Sequence, residues 1–416
     1  MKIFGDDGFR DIYSKGLMSE KFLGIFFSKL DNFLYLKKIN KVIVGYDTRK
    51  TSFDIVNLIQ RNIKKTKSIS ILKKPVPTPC LSYLSKIHKK SFLIMITASH
   101  FEKDYNGFKF FYGGKKISKK IEKEILSINR LKHTIKQPQI LLSDNYKEYT
   151  RYINNRFKNH NLKKNILIDF SFGSSALFLK EIKFWRNCKK TNFKFNYDNI
   201  NERSGSNNFE LNVKKKKIFF DSNYVFTFDG DADRFRVYKK NYGIIETEKI
   251  ALIFLKYLSR NQSSKKVIST NIVNPSFENY LNNMNINLIK TKVGDRNVTE
   301  SQKSNSAILG FETSGHFSFN CFMDGIFSCG LFMEIINKNE KIIEEILKQK
   351  FEFKLKLLNY KKDHIRKVKK ILFKIKKHSK IIIRKSIWEE KYRVYIFFKK
   401  KYYENIKKKL SILHNF

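Results

Sequence analysis

Short apolar runs recur along the chain and alternate with longer segments in which apolar residues recur every three to four positions. The short runs have the length of buried strands, and the longer segments have the spacing of helices with one apolar face. The predicted strands are KVIVG (41–45), SISIL (68–72), FLIMIT (92–97), NILIDF (165–170) and NYVFTFD (223–229). The predicted helices are 19–37, 51–65, 118–130, 248–259 and 330–350. This alternation predicts an α/β fold with mostly parallel sheets.

The last part of the chain has a different pattern. Residues 380–413 contain two apolar runs followed by a lysine-rich segment, which predicts two strands and a closing helix in a small α+β unit. A chain of 416 residues is also too long for one core and favours two to four domains. We place the boundaries near residues 150, 248 and 352.

The charge balance is strongly basic, with 85 Lys and Arg against 38 Asp and Glu and a formal net charge of +47. Such a charge on its own indicates a partner that is nucleic acid or another polyanion. The lysines, however, are spread along the whole chain and accompany many Phe, Ile and Asn residues, as a general compositional drift would produce. Solvated lysine faces are therefore the favoured interpretation, and polyanion binding stays an alternative.

The chain shows no signs of export or of a membrane. Its N-terminus, MKIFGDDGFR, has no apolar segment of signal-peptide length, and no apolar run is long enough to cross a bilayer. The four cysteines form no CxxC pair, so neither a zinc site nor a disulfide framework is expected. We expect a cytoplasmic protein.

An acidic cluster follows the predicted strand NYVFTFD. Asp229, Asp231 and Asp233 alternate along one loop, and their hard oxygen atoms suit Mg²⁺ or Ca²⁺. A calcium EF-hand is excluded because its sixth and twelfth positions would here be Arg234 and Lys240 instead of Gly and Glu. A solvated turn remains the alternative, but a divalent cation would relieve the repulsion among three neighbouring carboxylates.

Three further polar clusters are candidates for chemistry. Ser99 and His100 follow the strand FLIMIT, where a serine is accessible as a nucleophile or a phosphate carrier, and no G-x-S-x-G elbow surrounds Ser99. The second cluster could bind sugar hydroxyls or be an ordinary turn, and it comprises Asp295, Arg296, Glu312, Ser314 and His316. The third could bind phosphate or be a solvated face, and it comprises Arg384, Ser386 and Arg393.

Taken in order, the motifs resemble those of the α-D-phosphohexomutases along essentially the whole chain. The segments are FGDDGFRD (4–11), GYDTRKTS (45–52), PTP (77–79), TASHFEKDYNGFKFF (97–111), DGDADR (229–234), VGDRNV (293–298), GFETSGH (310–316) and RKSIWEEKYRV (384–394). They are similar to family motifs that include FGTDGIRG, GxDTRxSG, (S/T)ASHNPxxxNGxK, DGDGDR and RPSGTEPxxRV. Eight matches in the same order form a specific signal.

The resemblance implies a magnesium-dependent phosphohexomutase, an intramolecular phosphotransferase of the isomerase class. It implies three similar α/β domains with mixed sheets around a central cleft, plus a small, mobile α+β C-terminal domain. The implied domains are 1–150 with the phosphoserine loop, 151–247 with the metal loop, 248–352 with the sugar-binding loop and 353–416 with the phosphate-binding loop.

The resemblance also implies a role for each matched residue. Ser99 would be the phosphoserine, and one Mg²⁺ per chain would be held by Ser99, Asp229, Asp231 and Asp233. The other implied catalytic residues are His100, Lys109, Arg10 and His316. The implied substrate-binding residues are Arg234, Asp295, Arg296, Glu312, Ser314, Arg384, Ser386 and Arg393. A sugar bisphosphate would serve as activator and intermediate.

The segment DNINERSGS (198–206) and VGDR resemble the phosphoglucosamine mutase branch of the family. That branch interconverts glucosamine 6-phosphate and glucosamine 1-phosphate, which leads to UDP-N-acetylglucosamine and the cell wall. The implied partner is a small phosphosugar, with no specific nucleic acid and no membrane, and the implied state is a monomer or homodimer. A phosphomannomutase/phosphoglucomutase and an inactive mutase-like scaffold are the alternatives.

Several positions depart from the family pattern. Phe101 and Glu102 stand where Asn-Pro is usual, Asp11 replaces a glycine, and Ala232 replaces the middle glycine of the acidic loop. In the tail, Pro, Gly and Thr of the phosphate loop are replaced by Lys385, Ile387 and Trp388. We expect these tail replacements to weaken the grip on phosphate, with partial compensation by nearby lysines.

Overall fold

The computed structural model describes residues 3–6, 8–129, 137–157, 164–215, 217–259, 264–361, 364–373, 375–385, 391–404 and 406. The chain divides into two compact units. The first comprises Met1–Ile245 and Ser314–Glu340, and the second comprises Glu246–Thr313 and Lys341–Phe416. The finer division into four domains stays a prediction.

The strands are, in chain order, β1 (Phe9–Ile12), β2 (Lys41–Tyr46), β3 (Ser68–Leu72), β4 (Phe92–Ile96), β5 (Tyr105–Tyr112), β6 (Lys115–Lys116), β7 (Gln139–Ser143), β8 (Ile166–Asp169), β9 (Lys189–Thr191), β10 (Tyr224–Thr227), β11 (Arg236–Lys239), β12 (Gly243–Ile244), β13 (Lys266–Thr270), β14 (Asn287–Thr291), β15 (Leu309–Glu312), β16 (His316–Ser318), β17 (Phe353–Lys361), β18 (Ser379–Lys385) and β19 (Lys391–Lys399).

The helices are α1 (Glu20–Leu36), α2 (Thr51–Asn62), α3 (Thr78–Ile87), α4 (Lys119–Ser127), α5 (Tyr146–Arg156), α6 (Gly205–Lys215), α7 (Lys217–Phe220), α8 (Thr247–Leu258), α9 (Pro275–Asn283), α10 (Asp295–Asn305), α11 (Gly325–Lys348) and α12 (Ile365–Phe373). In the part of the chain that the structure describes, no helix has the length and apolarity needed to span a bilayer. The predicted α/β class is confirmed, and every predicted strand and helix before residue 350 has a counterpart of the same type.

The first unit contains two mixed sheets, so the prediction of mostly parallel sheets is wrong for this unit. In the larger one the strand order is β1-β5-β4-β2-β3-β7, with β6 beside β5. Its central strand β2 runs parallel to β3 and β4, whereas β5 runs antiparallel to β4 and β1. The second sheet has the order β12-β11-β10-β8-β9, in which β8 and β10 are parallel. The loops that follow β4 and β10 therefore leave the carboxyl ends of parallel strands, where open α/β sheets place ligand sites.

The strand β4 is completely buried because it lies between neighbouring strands and under an aromatic layer. Helix α1 begins after Ser19, whose hydroxyl accepts a hydrogen bond from the Phe22 backbone, and it turns Phe26 and Phe27 toward the sheet. The ring centroids of Phe9 and Phe26 are 5.0 Å apart, and those of Phe27 and Phe108 are 5.4 Å apart. Edge-to-face rings at these distances add to the burial energy and give the loop after β4 a rigid base.

The second unit also contains parallel and antiparallel strands. β13 pairs in parallel with β14 and β15, and β19 lies between β17 and β18 in an antiparallel sheet. Helix α12 packs Val368 and Leu372 against Val394 and Ile396 of β19. The two strands predicted for the tail are thus confirmed as β18 and β19, and β17 is an additional strand. The predicted closing helix lies mostly outside the described residues.

Asp324 is a fully buried acid at the start of α11. Its Oδ1 accepts hydrogen bonds from the Tyr149 hydroxyl at 2.9 Å and from the Phe327 backbone at 2.9 Å. Its Oδ2 has no hydrogen-bond partner among the described residues. Burial therefore raises the pKa of Asp324 to about 7.

This raised pKa predicts a pH-dependent stability. Between pH 4 and pH 7 the folded state holds a proton at Asp324 that the unfolded state has lost, so the free energy of unfolding falls as the pH rises. The variant Asp324→Asn lacks this titration. Relative to the parent protein, its free energy of unfolding should rise by about 2 kcal/mol or more between pH 5 and pH 8. Urea unfolding at both pH values measures the difference, and a constant difference would contradict the prediction.

Candidate active site

Ser99 lies at the end of β4 in an uncommon backbone conformation. Its φ angle is +52°, in the left-handed region, and the residue is only 4 % exposed. A non-glycine residue is held there at a cost, and such residues cluster at functional sites. The conformation directs the Ser99 hydroxyl to the acidic loop, where Oγ donates a hydrogen bond to Asp229 Oδ2 at 2.7 Å. The structure therefore brings together the serine and the acidic loop that the sequence places 130 residues apart.

The three aspartates of the loop after β10 converge. Asp229, Asp231 and Asp233 are buried, and one carboxylate oxygen from each lies within 4.8 Å of the other two. The Oδ1 atom of Asp231 is buried without a hydrogen-bond partner among the described residues. A buried carboxylate oxygen in that state is stabilised by a cation. Three converging hard oxygen ligands fit Mg²⁺, which takes carboxylate oxygens in octahedral geometry.

Glycine at position 230 lets the acidic loop approach its neighbours. A Cβ atom there would lie 2.7 Å from Ile200 Cδ1 and 2.9 Å from Asn201 Nδ2. On the opposite side, a Cβ on Gly173 would lie 2.5 Å from the Gly230 carbonyl oxygen. Both positions therefore need glycine for close packing.

Lys109 and His316 offset part of the negative charge. Lys109, on β5, places Nζ 2.8 Å from Asp231 Oδ2 and 2.6 Å from Asp233 Oδ2. His316 Nε2 lies 3.1 Å from Asp233 Oδ1. Burial raises the pKa of Asp233, but the charges of Lys109 and His316 outweigh burial and hold it well below its usual range. Burial and the two neighbouring carboxylates instead raise the pKa of Asp229 to about 7.

Two arginines contact the residues on either side of Ser99 in the chain. Arg234 donates a hydrogen bond from Nη2 to His100 Nδ1 at 2.9 Å, and its backbone amide donates to Asp229 Oδ1 at 3.2 Å. Arg10 donates from Nη1 to the Ala98 carbonyl at 3.4 Å. Burial, then Arg234 and Arg10, lower the pKa of His100 well below its usual value. His100 is therefore neutral near pH 7, and its Nδ1, 3.3 Å from Ser99 Oγ, acts as an acceptor for Arg234.

The remaining predicted site residues fall in several places. Ser314 lies in the first unit, with Oγ 2.8 Å from His316 Nδ1, so it holds the imidazole; its contact with a sugar stays a prediction. In the second unit, Glu312 Oε1 accepts a hydrogen bond from the Gly294 amide at 2.8 Å, next to Asp295 and Arg296 at the start of α10.

Two of the three tail residues that are predicted to bind phosphate occupy paired positions on neighbouring strands. Arg384 and Arg393 face each other across the β18–β19 pair. Ser386, Ile387 and Trp388 lie outside the described residues. Phosphate binding by this segment therefore stays a prediction.

Sequence reasoning missed Thr78 as a partner of the acidic loop. Its Oγ1 donates to Asp231 Oδ2 at 2.5 Å, and its backbone amide donates to the Asp231 carbonyl at 2.8 Å. The only signal was the motif match PTP (77–79), because the partner lies 153 residues further along the chain. Thr78 fixes the orientation of one carboxylate oxygen of Asp231, whose other oxygen has no hydrogen-bond partner among the described residues.

Two of the departures from the family pattern have a structural account. The Phe101 ring lies 4.7 Å below the Arg10 guanidinium and 4.9 Å from the Tyr105 ring, so it fills the space at this position by packing.

Ala232 has a φ of +54°, which costs a non-glycine residue about 1–2 kcal/mol. Burial of its methyl group offsets part of this cost, but an alanine at a positive φ loses more stability than the lower freedom of the unfolded chain returns.

Comparisons with protein-family models and with individual known proteins agree on one family. Residues 1–134 match the family model for phosphoglucomutase/phosphomannomutase α/β/α domain I, and residues 246–353 match the model for domain III. The chain is 30% identical over 369 residues to the phosphoglucosamine mutase of Dictyoglomus turgidum, covering 83% of this chain and 81% of that protein.

Solved structures share the fold. A phosphoglucomutase/phosphomannomutase family protein from Burkholderia thailandensis superposes with a TM-score of 0.82 at 16% identity, covering 99% of this chain and 97% of that one. Aspergillus fumigatus N-acetylphosphoglucosamine mutase, solved with GlcNAc-6P and magnesium, superposes with a TM-score of 0.66 at 14% identity, covering 95% and 92%.

The fold and these relatives define an enzyme of the isomerase class that transfers a phosphoryl group within one substrate. More particularly, the chain belongs to the phosphoglucomutase/phosphomannomutase family, the α-D-phosphohexomutases.

Proposed function

We propose that this chain interconverts glucosamine 6-phosphate and glucosamine 1-phosphate through a phosphorylated Ser99. The observation that carries the proposal is the contact between Ser99 Oγ and Asp229 Oδ2 at 2.7 Å, which joins the candidate nucleophile to a cluster of three carboxylates with the spacing of a metal site. The enzyme would act in the cytoplasm as a monomer or homodimer and supply glucosamine 1-phosphate for UDP-N-acetylglucosamine and cell-wall synthesis.

The phosphoryl group would be transferred in two successive steps. In the first, a free hydroxyl of the sugar phosphate attacks the phosphorus on Ser99; the new P–O bond forms, the bond to Ser99 Oγ breaks, and Oγ takes up a proton. The bisphosphate then turns over, and Ser99 Oγ attacks its other phosphate: the new Oγ–P bond forms, the P–O bond to the sugar breaks, Oγ loses its proton, and the sugar oxygen takes up a proton, which restores the phosphoserine. Lys109 and His316 are the proposed carriers of the hydroxyl proton, and Arg10 and Arg234 would stabilise charge on the transferring group.

The cation site would contribute charge neutralisation. Asp229, Asp231 and Asp233 would hold one Mg²⁺ together with an oxygen of the phosphorylated Ser99. When bound, Mg²⁺ withdraws negative charge from the phosphoryl oxygens and so favours attack by a neutral hydroxyl. The convergence of the three carboxylates and the magnesium named for the Aspergillus relative support this assignment.

The choice of an amino sugar rests on the relatives and on one motif. The Dictyoglomus relative is named a phosphoglucosamine mutase, and the segment DNINERSGS resembles that branch. Glu312 and Ser314 would contact the sugar hydroxyls, and Asp295 and Arg296 are further proposed substrate-binding residues. Arg384, Ser386 and Arg393 would hold the phosphate that does not react, whichever end of the bisphosphate it is.

A coupled assay of the three hexose phosphates tests the proposal. The purified protein is given Mg²⁺, catalytic glucose 1,6-bisphosphate and either glucosamine, mannose or glucose 6-phosphate. We expect kcat/KM for glucosamine 6-phosphate to exceed the other two by at least about tenfold, which corresponds to about 1.4 kcal/mol of transition-state discrimination. Preference for mannose or glucose would contradict the proposed branch. Conversion of none of them would favour the inactive scaffold.

A further inference from the structure

Arg49 binds the carbonyl oxygens of the loop that carries Ser99. The side chain is completely buried, and its Nη2 donates to the carbonyls of Ser99 and Phe101, each at 3.0 Å. Its Nη1 donates to the Glu102 carbonyl at 2.7 Å, and its Nε pairs with Asp47 Oδ2 at 3.1 Å. One planar guanidinium thus binds three carbonyl oxygens of the loop, which a lysine ammonium would not reproduce.

Asn201 binds two of the same oxygens from a different part of the chain. Its Nδ2 donates to the Ser99 carbonyl at 2.8 Å and to the Phe101 carbonyl at 2.9 Å. Asn201 belongs to the segment DNINERSGS, and none of the chemistry assigned above uses it. Its own φ of +60° is left-handed, a conformation that Asn and Asp tolerate better than other residues.

A second set of bonds holds the amide side of Ser99. The Ser99 amide donates to Thr97 Oγ1 at 2.8 Å, and that hydroxyl donates to Asp47 Oδ2 at 2.7 Å. Asp47 also forms an ion pair with Arg49. One buried hydrogen-bond network therefore binds both the backbone amide and the backbone carbonyl of Ser99. A strained residue persists only where its surroundings over-determine it, and this network does so.

We propose that Arg49 and Asn201 are positioning residues that hold Ser99 in its left-handed conformation, and thereby aim its hydroxyl, and the phosphate it would carry, at the acidic loop. The inference deepens the proposed function and rests on it for the chemical consequence. A displacement of the reacting atom by about 1 Å costs on the order of 100-fold in rate. The effect should fall on kcat, because neither side chain belongs to the residues assigned to sugar binding.

The variant Asn201→Asp tests the inference with little change of shape. Aspartate tolerates the same backbone conformation but turns a carboxylate toward the two carbonyl oxygens that the amide bound. Asn212→Asp is the matched control, because the Asn212 amide donates to the Arg203 carbonyl, at 3.0 Å, and not to the loop of Ser99. Arg49→Lys is the second test variant. It keeps the positive charge beside Asp47 but loses the planar guanidinium that donates to the three carbonyl oxygens.

Hydrogen–deuterium exchange of the peptide 97–107 needs no substrate. We expect it to be at least about tenfold faster in Asn201→Asp and Arg49→Lys than in the parent protein and in Asn212→Asp. In the assay, kcat should fall on the order of 100-fold in both test variants, with KM within about twofold of the parent value.

Two results would overturn the inference: unchanged exchange of this peptide in both test variants, or faster exchange with an unchanged kcat. Should the parent protein convert no hexose phosphate, the proposed function fails, and the exchange result alone decides whether Arg49 and Asn201 hold the loop.

Discussion

Replacement of Ser99 by alanine should lower kcat by three orders of magnitude or more, the scale on which removal of a nucleophile acts in enzymes with covalent intermediates. The reason is that alanine has no oxygen to accept the phosphoryl group, whereas the acidic loop and the basic side chains stay in place. Intact-mass measurement after incubation with glucose 1,6-bisphosphate provides a second readout. The parent protein should gain the mass of one phosphate, and Ser99→Ala should gain none.

Ser171→Ala is a matched control for this experiment. Ser171 is also a buried serine that follows a parallel strand and has a left-handed φ of +57°, but its Oγ donates to the Phe228 carbonyl. Its loss should cost about 1 kcal/mol of stability and leave phosphorylation of the protein intact. Activity close to the parent value in Ser99→Ala would show that another residue carries the phosphate, and the proposed mechanism would be wrong.

Replacement of Asp231 by asparagine should weaken the binding of Mg²⁺ by about 100-fold or more, equivalent to about 2.7 kcal/mol. The variant removes one of three converging charges and substitutes a neutral amide at the position whose Oδ1 has no hydrogen-bond partner among the described residues. Titration calorimetry with MgCl₂ measures the affinity directly and does not depend on activity.

Asp324→Asn is the control for the metal experiment. It replaces another fully buried carboxyl, one that caps α11 and lies outside the acidic triplet. Its affinity for Mg²⁺ should match that of the parent protein. Equal affinities in all three proteins would mean that the triplet is held together by Lys109 and His316 and does not bind the cation.

Five strands of the first unit, β2, β3, β4, β8 and β10, were predictable from the sequence because they are buried along nearly their whole length. Runs such as FLIMIT contain almost no polar residue, and β4 is accordingly buried along its whole length. The strand β17 escaped prediction for the opposite reason. Its sequence FKLKLLNYK alternates with lysine, and most of its residues are exposed, so no continuous apolar run marks it.

Site residues were predictable from the sequence where the reactive or charged groups stand together in one motif. They were unpredictable where a residue's role depends on a contact with a residue far away in the chain. The acidic triplet and the serine loop each follow a recognisable strand, so Ser99 and Asp229 could be named from the sequence. Thr78, Arg49 and Asn201 act on backbone atoms or on a carboxylate 50 to 153 residues away. Hydrophobic periodicity contains no information about such contacts, since it reports which face of an element is buried and not what its ends touch.

The contact between Asn201 and the Ser99 carbonyl has a consequence for the protein during its synthesis. On the ribosome the serine segment emerges about 100 residues before Asn201 and about 130 before the acidic loop. A nascent chain that ends between these points carries the serine together with Arg49 and Asp47, but without Asn201 and without the acidic loop. Under the proposed function, the phosphate-accepting geometry at Ser99 can therefore form only after Asn201 and the acidic loop have been synthesised.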